Sequence, residues 1–339
     1  MSGLTTAEIG DVDSLDLLVP EWWNLWRRIP SATPFQSPAW LVPWWRAFSP
    51  GTLLVITVQQ AGRLVGVAPF YIEQGALRRR VLPIGISVSD YIDVLLDPDC
   101  IEAAGGALVE HLASEHSWTE WELADLAPGA AALRLPEPSG CTGSLQPGSP
   151  CPVLALPREF DALLRALSPH KRNNLHNARN RAKRRGELHF MQADAASASG
   201  MLESLMQLHA ARWTGRGEQG VFSDPRVRAF HAAAIPVLFE ADLARLFALK
   251  ISGRIAAVHY GLSGKGRAYS YITGFDPEFS FESPGALLLA HVINQSMAEG
   301  AAEFHFLRGQ EKYKYEWGAT NRWNVRRVFR RHQARARAS

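Results

Sequence analysis

The 339-residue chain repeats part of itself. Residues 55–67 read Val-Ile-Thr-Val-Gln-Gln-Ala-Gly-Arg-Leu-Val-Gly-Val, and residues 246–258 read Leu-Phe-Ala-Leu-Lys-Ile-Ser-Gly-Arg-Ile-Ala-Ala-Val. Each is an apolar run, a Gly-Arg break and a second apolar run, the pattern of a β-hairpin with glycine supplying positive φ in the turn. The similarity continues downstream. Ile84–Leu96 and Ala268–Phe275 read as strands, Ile101–Glu115 and Pro284–Glu299 as helices, and Trp118–Leu126 and Glu303–Leu307 as aromatic strands. One shared Gly-Arg is coincidence, whereas elements repeated in one order at a nearly constant offset point to a duplication. The expected fold is therefore α/β (α+β): two copies of a β-β-β-α-β unit, each a mixed, mostly antiparallel sheet flanked by helices.

Residues 127–152 are dense in Pro and Gly and lack apolar periodicity, which reads as a linker. The domains are expected at 1–150 and 151–330, with the Arg/Ala stretch 331–339 a disordered tail. Hydrophobic residues make up 47% and charged residues 20%, which excludes disorder as the main state. No run approaches the roughly 18 apolar residues of a membrane span. Met1–Asp16 carries acids and no basic residue, unlike a secretory signal. Cys100, Cys141 and Cys151 are too few and too scattered for a disulfide framework or a cysteine-rich zinc site. Reduced thiols, a cytoplasmic location and no metal are the expectation.

The net charge of +3 is unevenly spread. Residues 165–187 hold eight Lys/Arg and one acid, and residues 317–339 hold seven Arg and no acid, so the remaining chain is acidic. Basic segments on an acidic body meet an anionic partner or the body itself. Helical spacing over Phe160–Arg185 predicts an amphipathic helix with Lys171, Arg172, Arg179 and Lys183 outward. Such a face suits RNA, an acidic carrier protein or nucleotide phosphate, or is simply solvated. Trp22, Trp23, Trp26, Trp40, Trp44 and Trp45 are spaced for two helices packed over the first sheet, or for a lipid or acyl-chain groove.

Ser283-Pro284-Gly285 combines an N-cap residue, a first-turn proline and a glycine that leaves amides uncovered. With Ala286 and Leu287 it opens either a phosphate-binding helix or an ordinary capped one. Beyond the next strand, Arg308 and Lys314 suit phosphate or carboxylate, Glu311 can accept a proton and Tyr313 can donate one; a solvated, ion-paired helix is the other reading. In copy one, Asp90, Tyr91 and Asp93 lie where a strand is expected. Asp is depleted in strands, so these residues either bind a cationic or hydroxylated group or interrupt the strand. His259, Tyr260, Tyr269 and Tyr271 line strands of copy two, each a core residue with its polar tip satisfied or part of a site. No nucleophile elbow, P-loop, HExxH or CxxC is present, which takes most of the weight from hydrolase, NTPase and metalloenzyme readings.

Pro34-Phe-Gln-Ser-Pro-Ala-Trp-Leu41, Gly66-Val-Ala-Pro-Phe-Tyr71, Ser89-Asp-Tyr-Ile-Asp93, Ser283-Pro-Gly285 and Phe306-Leu-Arg-Gly-Gln-Glu-Lys-Tyr-Lys314 resemble the CelD/BcsL-type acetyltransferases over about residues 20–330. That family is GNAT-like and related to the FemABX aminoacyl transferases. The resemblance implies two tandem GNAT-like acyltransferase domains. It also implies transfer of an acyl group from a thioester, acyl-CoA or acyl carrier protein, to a small-molecule amine or, less often, a hydroxyl; the absence of a nucleophile motif makes direct attack by the amine the expected mechanism. Copy two is implied to bind the donor, with Ser283, Gly285, Ala286 and Leu287 at its pyrophosphate, although this helix start departs from the usual Gln/Arg-x-x-Gly-x-Gly/Ala signature. Copy one, with Asp99-Cys100-Ile101 at the matching place, is implied to be a degenerate, substrate-shaping half. Glu311 or His259 would take the amine proton and Tyr313 would protonate the departing thiolate. Asp90, Tyr91, Asp93, Tyr271, Arg308 and Lys314 would hold the acceptor. The alternatives are an aminoacyl-tRNA-dependent FemABX-like transferase, with tRNA on the basic helix, and a non-catalytic binding module linked to polysaccharide synthesis.

Overall fold

The computed structural model describes residues 3–75, 78–115, 118–214, 217 and 219–332. In chain order the elements begin β1 (Leu4–Ile9), α1 (Val12–Arg28), α2 (Pro38–Phe48), β2 (Thr52–Gln60) and β3 (Arg63–Gln74). They continue β4 (Arg79–Pro83), β5 (Leu95–Leu96), α3 (Ile101–Glu115), β6 (Glu120–Leu126) and β7 (Cys141–Ala155). Next come α4 (Phe160–Ala166), α5 (Pro169–Arg185), β8 (Leu188–Gln192), α6 (Ala198–Thr214) and α7 (Pro225–Glu240). The last are β9 (Ala244–Ile251), β10 (Arg254–Gly264), β11 (Arg267–Phe275), α8 (Pro284–Ala298), β12 (Glu303–His305), α9 (Lys312–Glu316) and β13 (Thr320–Arg331). The chain divides into two compact units, one of residues 1–149 with the C-terminal stretch from Trp323, the other of Pro150–Arg322.

In the first unit the strand order is β1-β2-β3-β4-β6-β13, antiparallel except for a short parallel step that pairs Arg80 with Glu120 and Val81 with Trp121. The β2–β3 turn, Ala61-Gly62, has positive φ at both residues, the twist a two-residue hairpin requires. Leu53–Val58 is an unbroken buried run because both sheet faces are covered. One face packs on α3: Leu54, Ile56, Phe70 and Trp121 share a core cluster with Leu108 and Leu112. Neighbouring residues of a strand point to opposite faces, so Tyr71 faces the other way, where Trp44 and Trp45 of α2 pack at 5.9 and 6.1 Å. The tryptophans are thus core residues of two helices, with Trp22, Trp26, Trp40, Trp44 and Trp45 all buried.

The second unit repeats the order: β8-β9-β10-β11-β12 and the C-terminal part of β7. It again has one parallel step, Arg267–Tyr269 against Glu303–His305, and a positive-φ hairpin turn, Ser252-Gly253. α6 and α7 pack on one face, while α8, with α5 behind it, covers the other.

The structure departs from four expectations. Residues 84–94 are not a strand: Gly85 and Ser87 turn at positive φ, and side-chain hydrogen bonds from this segment compete with sheet pairing. Residues 127–152 are not simply a linker, because β7 runs through Pro147, Pro150 and Pro152; a strand at which Pro152 gives only its carbonyl, to the Phe306 amide, needs no proline N–H. The basic helix is two helices. Pro169 and the Ser168 cap on the Lys171 amide start α5 afresh, and Lys171 points inward, its ammonium 3.1 Å from Glu316 and 5.1 Å from the Trp317 ring. The second domain does not extend to residue 330: from Trp323, β13 pairs with β6 in the first unit. Of the expected tail, Arg331 closes β13 and the His332 amide bonds Gly140 O, whereas residues 333–339 lie outside the described residues.

An ion-pair ladder fastens β13. Glu122 accepts from Arg326 at 2.7 and 2.8 Å and from Arg80 at 2.6 Å, and its carboxyl is held below the usual range by these two guanidinium groups against the cost of burial. Glu122→Ala leaves two half-buried arginines facing one another and is expected to cost about 2–3 kcal/mol, discounted for their partial exposure. Urea denaturation measures this, and an unchanged midpoint would show that solvent already screens the ladder.

Candidate active site in the C-terminal unit

The parallel step is short. β11 runs on from Tyr269 to Phe275, but β12 stops pairing with it at His305, and Phe306 N bonds Pro152 O instead. The two strands therefore part, leaving the Ser270–Phe275 edge without a partner strand among the described residues. On its other edge β11 is bulged: the register with β10 jumps from Tyr260↔Ile272 to Gly261↔Ser270, so Tyr271 has no opposite residue. Gly261 permits this, since a Cβ there would lie 2.9 Å from Tyr269 O. The start of α8 stands at the end of this edge, since a Cβ on Gly285 would lie 3.7 Å from the Phe275 ring.

At the start of α8, Ser283 sits in the left-handed region with φ 54° and makes no side-chain cap bond. Pro284 has no N–H, and the Ala286 and Leu287 amides both donate to Ser283 O, at 3.1 and 3.3 Å. The Gly285 amide has no partner among the described residues. Arg181 of α5 donates to Phe281 O at 2.7 Å and lies 3.5 Å from Ser283 Oγ. The Glu282 carboxylate, immediately before the cap, is buried with Oε2 unpaired among the described residues. One amide and one arginine suit a single phosphate. They suit it better than the pyrophosphate of coenzyme A, which brings a second phosphate and more charge.

The loop after β12 is held from within. Lys314 is buried and its Nζ donates to the carbonyls of Leu307, Arg308 and Gly309 at 3.3, 2.7 and 3.2 Å, with Glu311 Oε2 at 2.9 Å. Those bonds account for positive φ at Leu307 and Gly309, and glycine is needed at 309 because its φ of +109° is one that L side chains rarely adopt. Lys314 thus shapes the loop rather than reaching into solvent for an acceptor. Arg308, Glu311 and Lys314 are brought together here. Glu311 stands at the start of α9, more than half exposed, and Tyr313 is 44% exposed with its ring 6.1 Å from Phe306.

His259 and Tyr271 are separated by the sheet. His259 lies on the α8 face, fully buried, with Nδ1 2.8 Å from Thr273 Oγ1 and Nε2 unpaired among the described residues. Tyr271 lies on the opposite face, 5.4 Å from the His231 ring of α7 and 5.4 Å from Tyr260. Burial pushes the His259 imidazolium down to about 3, which makes it a weak base at neutral pH. In the first unit, Asp93 gives its carboxylate to the Ala131, Ala132 and Val94 amides at 2.7, 2.8 and 2.9 Å. Tyr91 is core, its carbonyl accepting from Gln36 Nε2, and the buried Asp90 carbonyl accepts from Asn324 Nδ2 at 2.9 Å. Tyr91 is therefore an interior part of the unit, and the half-buried Asp93 carboxylate is already used by backbone amides. Sequence reasoning missed the bulge, Arg181 and Thr273, since none has a local signal.

A model of an acetyltransferase (GNAT) domain matches residues 169–315, all within the second unit. No curated protein matches the sequence. Among solved structures, FemX is similar with 13% identity and a TM-score of 0.63, covering 95% of this chain and 96% of its own. The C-terminal DUF2156 domain of a protein described as a lysylphosphatidylglycerol synthetase from Agrobacterium fabrum is similar with 12% identity and a TM-score of 0.55, covering 94% and 93%. A tandem GNAT protein from the clavulanic acid biosynthesis pathway has 16% identity and a TM-score of 0.50, covering 98% and 100%. The fold is thus mixed α/β and GNAT-like. Among the described residues no helix is long and apolar enough to cross a membrane, and no His/Cys/Asp/Glu group is arranged to hold a metal ion.

Burial penalises the charged form of His231 and His259 and pushes both imidazolium groups down to about 3. Above about pH 6.5 both are neutral folded or unfolded; below it only the unfolded chain takes up protons, so stability falls until about pH 3 and then levels. The expected loss at pH 5 is about 2 kcal/mol per histidine. Urea midpoints at pH 7 and 5 read it, and the double variant His231→Phe/His259→Gln should flatten the pH dependence. An equal loss in that variant would assign the acid sensitivity elsewhere.

Proposed function

We propose that the chain is an N-acyltransferase whose second unit carries the acyl donor and passes the acyl group directly to an amine. The observation that supports this most is the unpaired, bulged edge of β11 opening before α8. Amides along such an edge polarise an acyl carbonyl and stabilise the tetrahedral oxyanion. Glu311, exposed at the start of α9, takes the amine proton, and Tyr313, exposed two residues on, protonates the leaving group. His259 stays neutral and orders the strand pair through Thr273. The CelD/BcsL-type motifs support a thioester donor, and the start of α8 favours a donor bearing one phosphate, as on an acyl carrier protein. The first unit is assigned no donor: its matching helix follows a turn capped by Asp97, which is paired with Arg28 and Arg63 at 3.0 Å each.

A second reading, an aminoacyl-tRNA donor, is favoured by α5, where Arg179, Lys183 and Arg184 are exposed with no partner among the described residues. The FemABX resemblance points the same way. Phosphate contacts make such binding fall steeply with added salt.

The two readings separate in one assay. The protein is incubated with a panel of amines and each of acetyl-CoA, acyl carrier protein thioester and aminoacyl-tRNA, and products are weighed by mass spectrometry. Amine-dependent product from the carrier-protein thioester is expected, reduced about 100-fold or more in Glu311→Gln, the usual size of a lost general base. Product from aminoacyl-tRNA alone would select the second reading. No product from any donor would overturn both.

A further inference from the structure

Apart from the β11 edge, the second unit has a cleft of about 480 Å³ walled by α4, α5, β8 and α8. Its floor is apolar and left partly wet: Phe160, Leu164, Leu175, Leu188, Phe190 and Ala290 are each only half-buried at the margin of the core. Apolar surface gathered in a concave site, with a few polar groups, marks a ligand pocket, and the volume lies in the range of roughly 300–1,000 Å³ that such pockets occupy. Every ionisable group in the lining is basic: Arg172, His176, Arg179 and His291. Arg172 is occupied by the carbonyls of Arg165 and Leu167 at the end of α4, His176 by Asn180 at 2.8 Å, and His291 is stacked on Phe190 at 4.4 Å. Arg179 has neither an ion pair nor a hydrogen bond among the described residues. Its charge faces an apolar trough that contains no acid to neutralise it.

We propose that this cleft binds a single long-chain acyl anion, the chain on the Phe160/Leu175/Phe190 floor and the anionic head against Arg179. The two halves of the lining select this occupant together. An apolar ligand without charge would leave Arg179 unmatched, and a hydrophilic anion would leave the floor wet. Neither the β11 edge nor the loop after β12 contributes to the site, although it shares Arg179 with the aminoacyl-tRNA reading and Leu287 with the start of α8.

Equilibrium binding to the full chain tests the proposal, by displacement of a fluorescent fatty acid with octanoate, dodecanoate and hexadecanoate. Affinity is expected to rise about three- to fourfold per methylene while the chain still finds floor to cover, then to level off. Dodecyltrimethylammonium is expected to bind at least about tenfold more weakly than dodecanoate, since it sets like charge against Arg179. Arg179→Gln, on an exposed and unpaired residue, should weaken dodecanoate about fivefold, and Ala290→Phe, which fills the trough, should abolish binding. Circular dichroism and the urea midpoint establish that both variants remain folded. Equal affinity for the cationic and anionic amphiphile, or binding unchanged in folded Ala290→Phe, would overturn the proposal. So would the absence of any alkyl-carboxylate binding, the result expected if an acidic protein helix is the true occupant.

Discussion

The short parallel step within each antiparallel sheet governs the rest of the molecule. A parallel neighbour cannot be reached by a tight turn, so a crossover helix is required: α3 between β4 and β6, α8 between β11 and β12. The pairing in the second unit is confined to Arg267–Tyr269 and Glu303–His305, after which the strands part. The free edge, the helix start beside it and the loop after β12 are all consequences. What distinguishes the two units chemically is how the crossover begins. In the first, Asp97 and Asp99 stand before α3 and the former is already paired with two arginines. In the second, the Gly285 amide has no partner among the described residues and Arg181 stands beside the cap.

Buried charge in the second unit is used for shape. Lys314 turns three carbonyls inward, and an ammonium removed from water needs that much compensation. Lys171 does comparable work beneath α9, between Glu316 and the face of Trp317. The histidines take the other course open to an ionisable group in an apolar layer: His231 and His259 stay neutral. The proposed site is therefore a backbone edge and a loop bearing an exposed acid and phenol, the loop set on a buried cation that is held by several partners.

Much of the fold is legible in the sequence because it rests on local pattern. The repeated Gly-Arg hairpins, the helices beginning at Ile101 and Pro284 and the two-sided burial of the first sheet all follow from spacing and turn residues. The failures share a cause. The two aspartates of Asp90–Asp93 hint at an interrupted strand, but that Asp93 caps a turn some 40 residues away leaves no local trace. The prolines of β7 hide it, and Lys171 reads as outward because helical spacing does not reveal that Glu316 and Trp317 come to meet it. Of the candidate site, the Arg308/Glu311/Lys314 cluster is contiguous in sequence and legible as a group; the bulge at Tyr271 is not.

The sequence alone determined that the chain holds two versions of one mixed sheet-and-helix unit, since hydrophobic period and turn chemistry act over a few residues. Tertiary structure alone decided that the strand from Trp323 returns to the first unit, that β11 is bulged and parts from β12, and which cations are buried. Those outcomes depend on pairing and desolvation between residues far apart in the chain, and the free energy of such contacts is written in no short stretch of either partner.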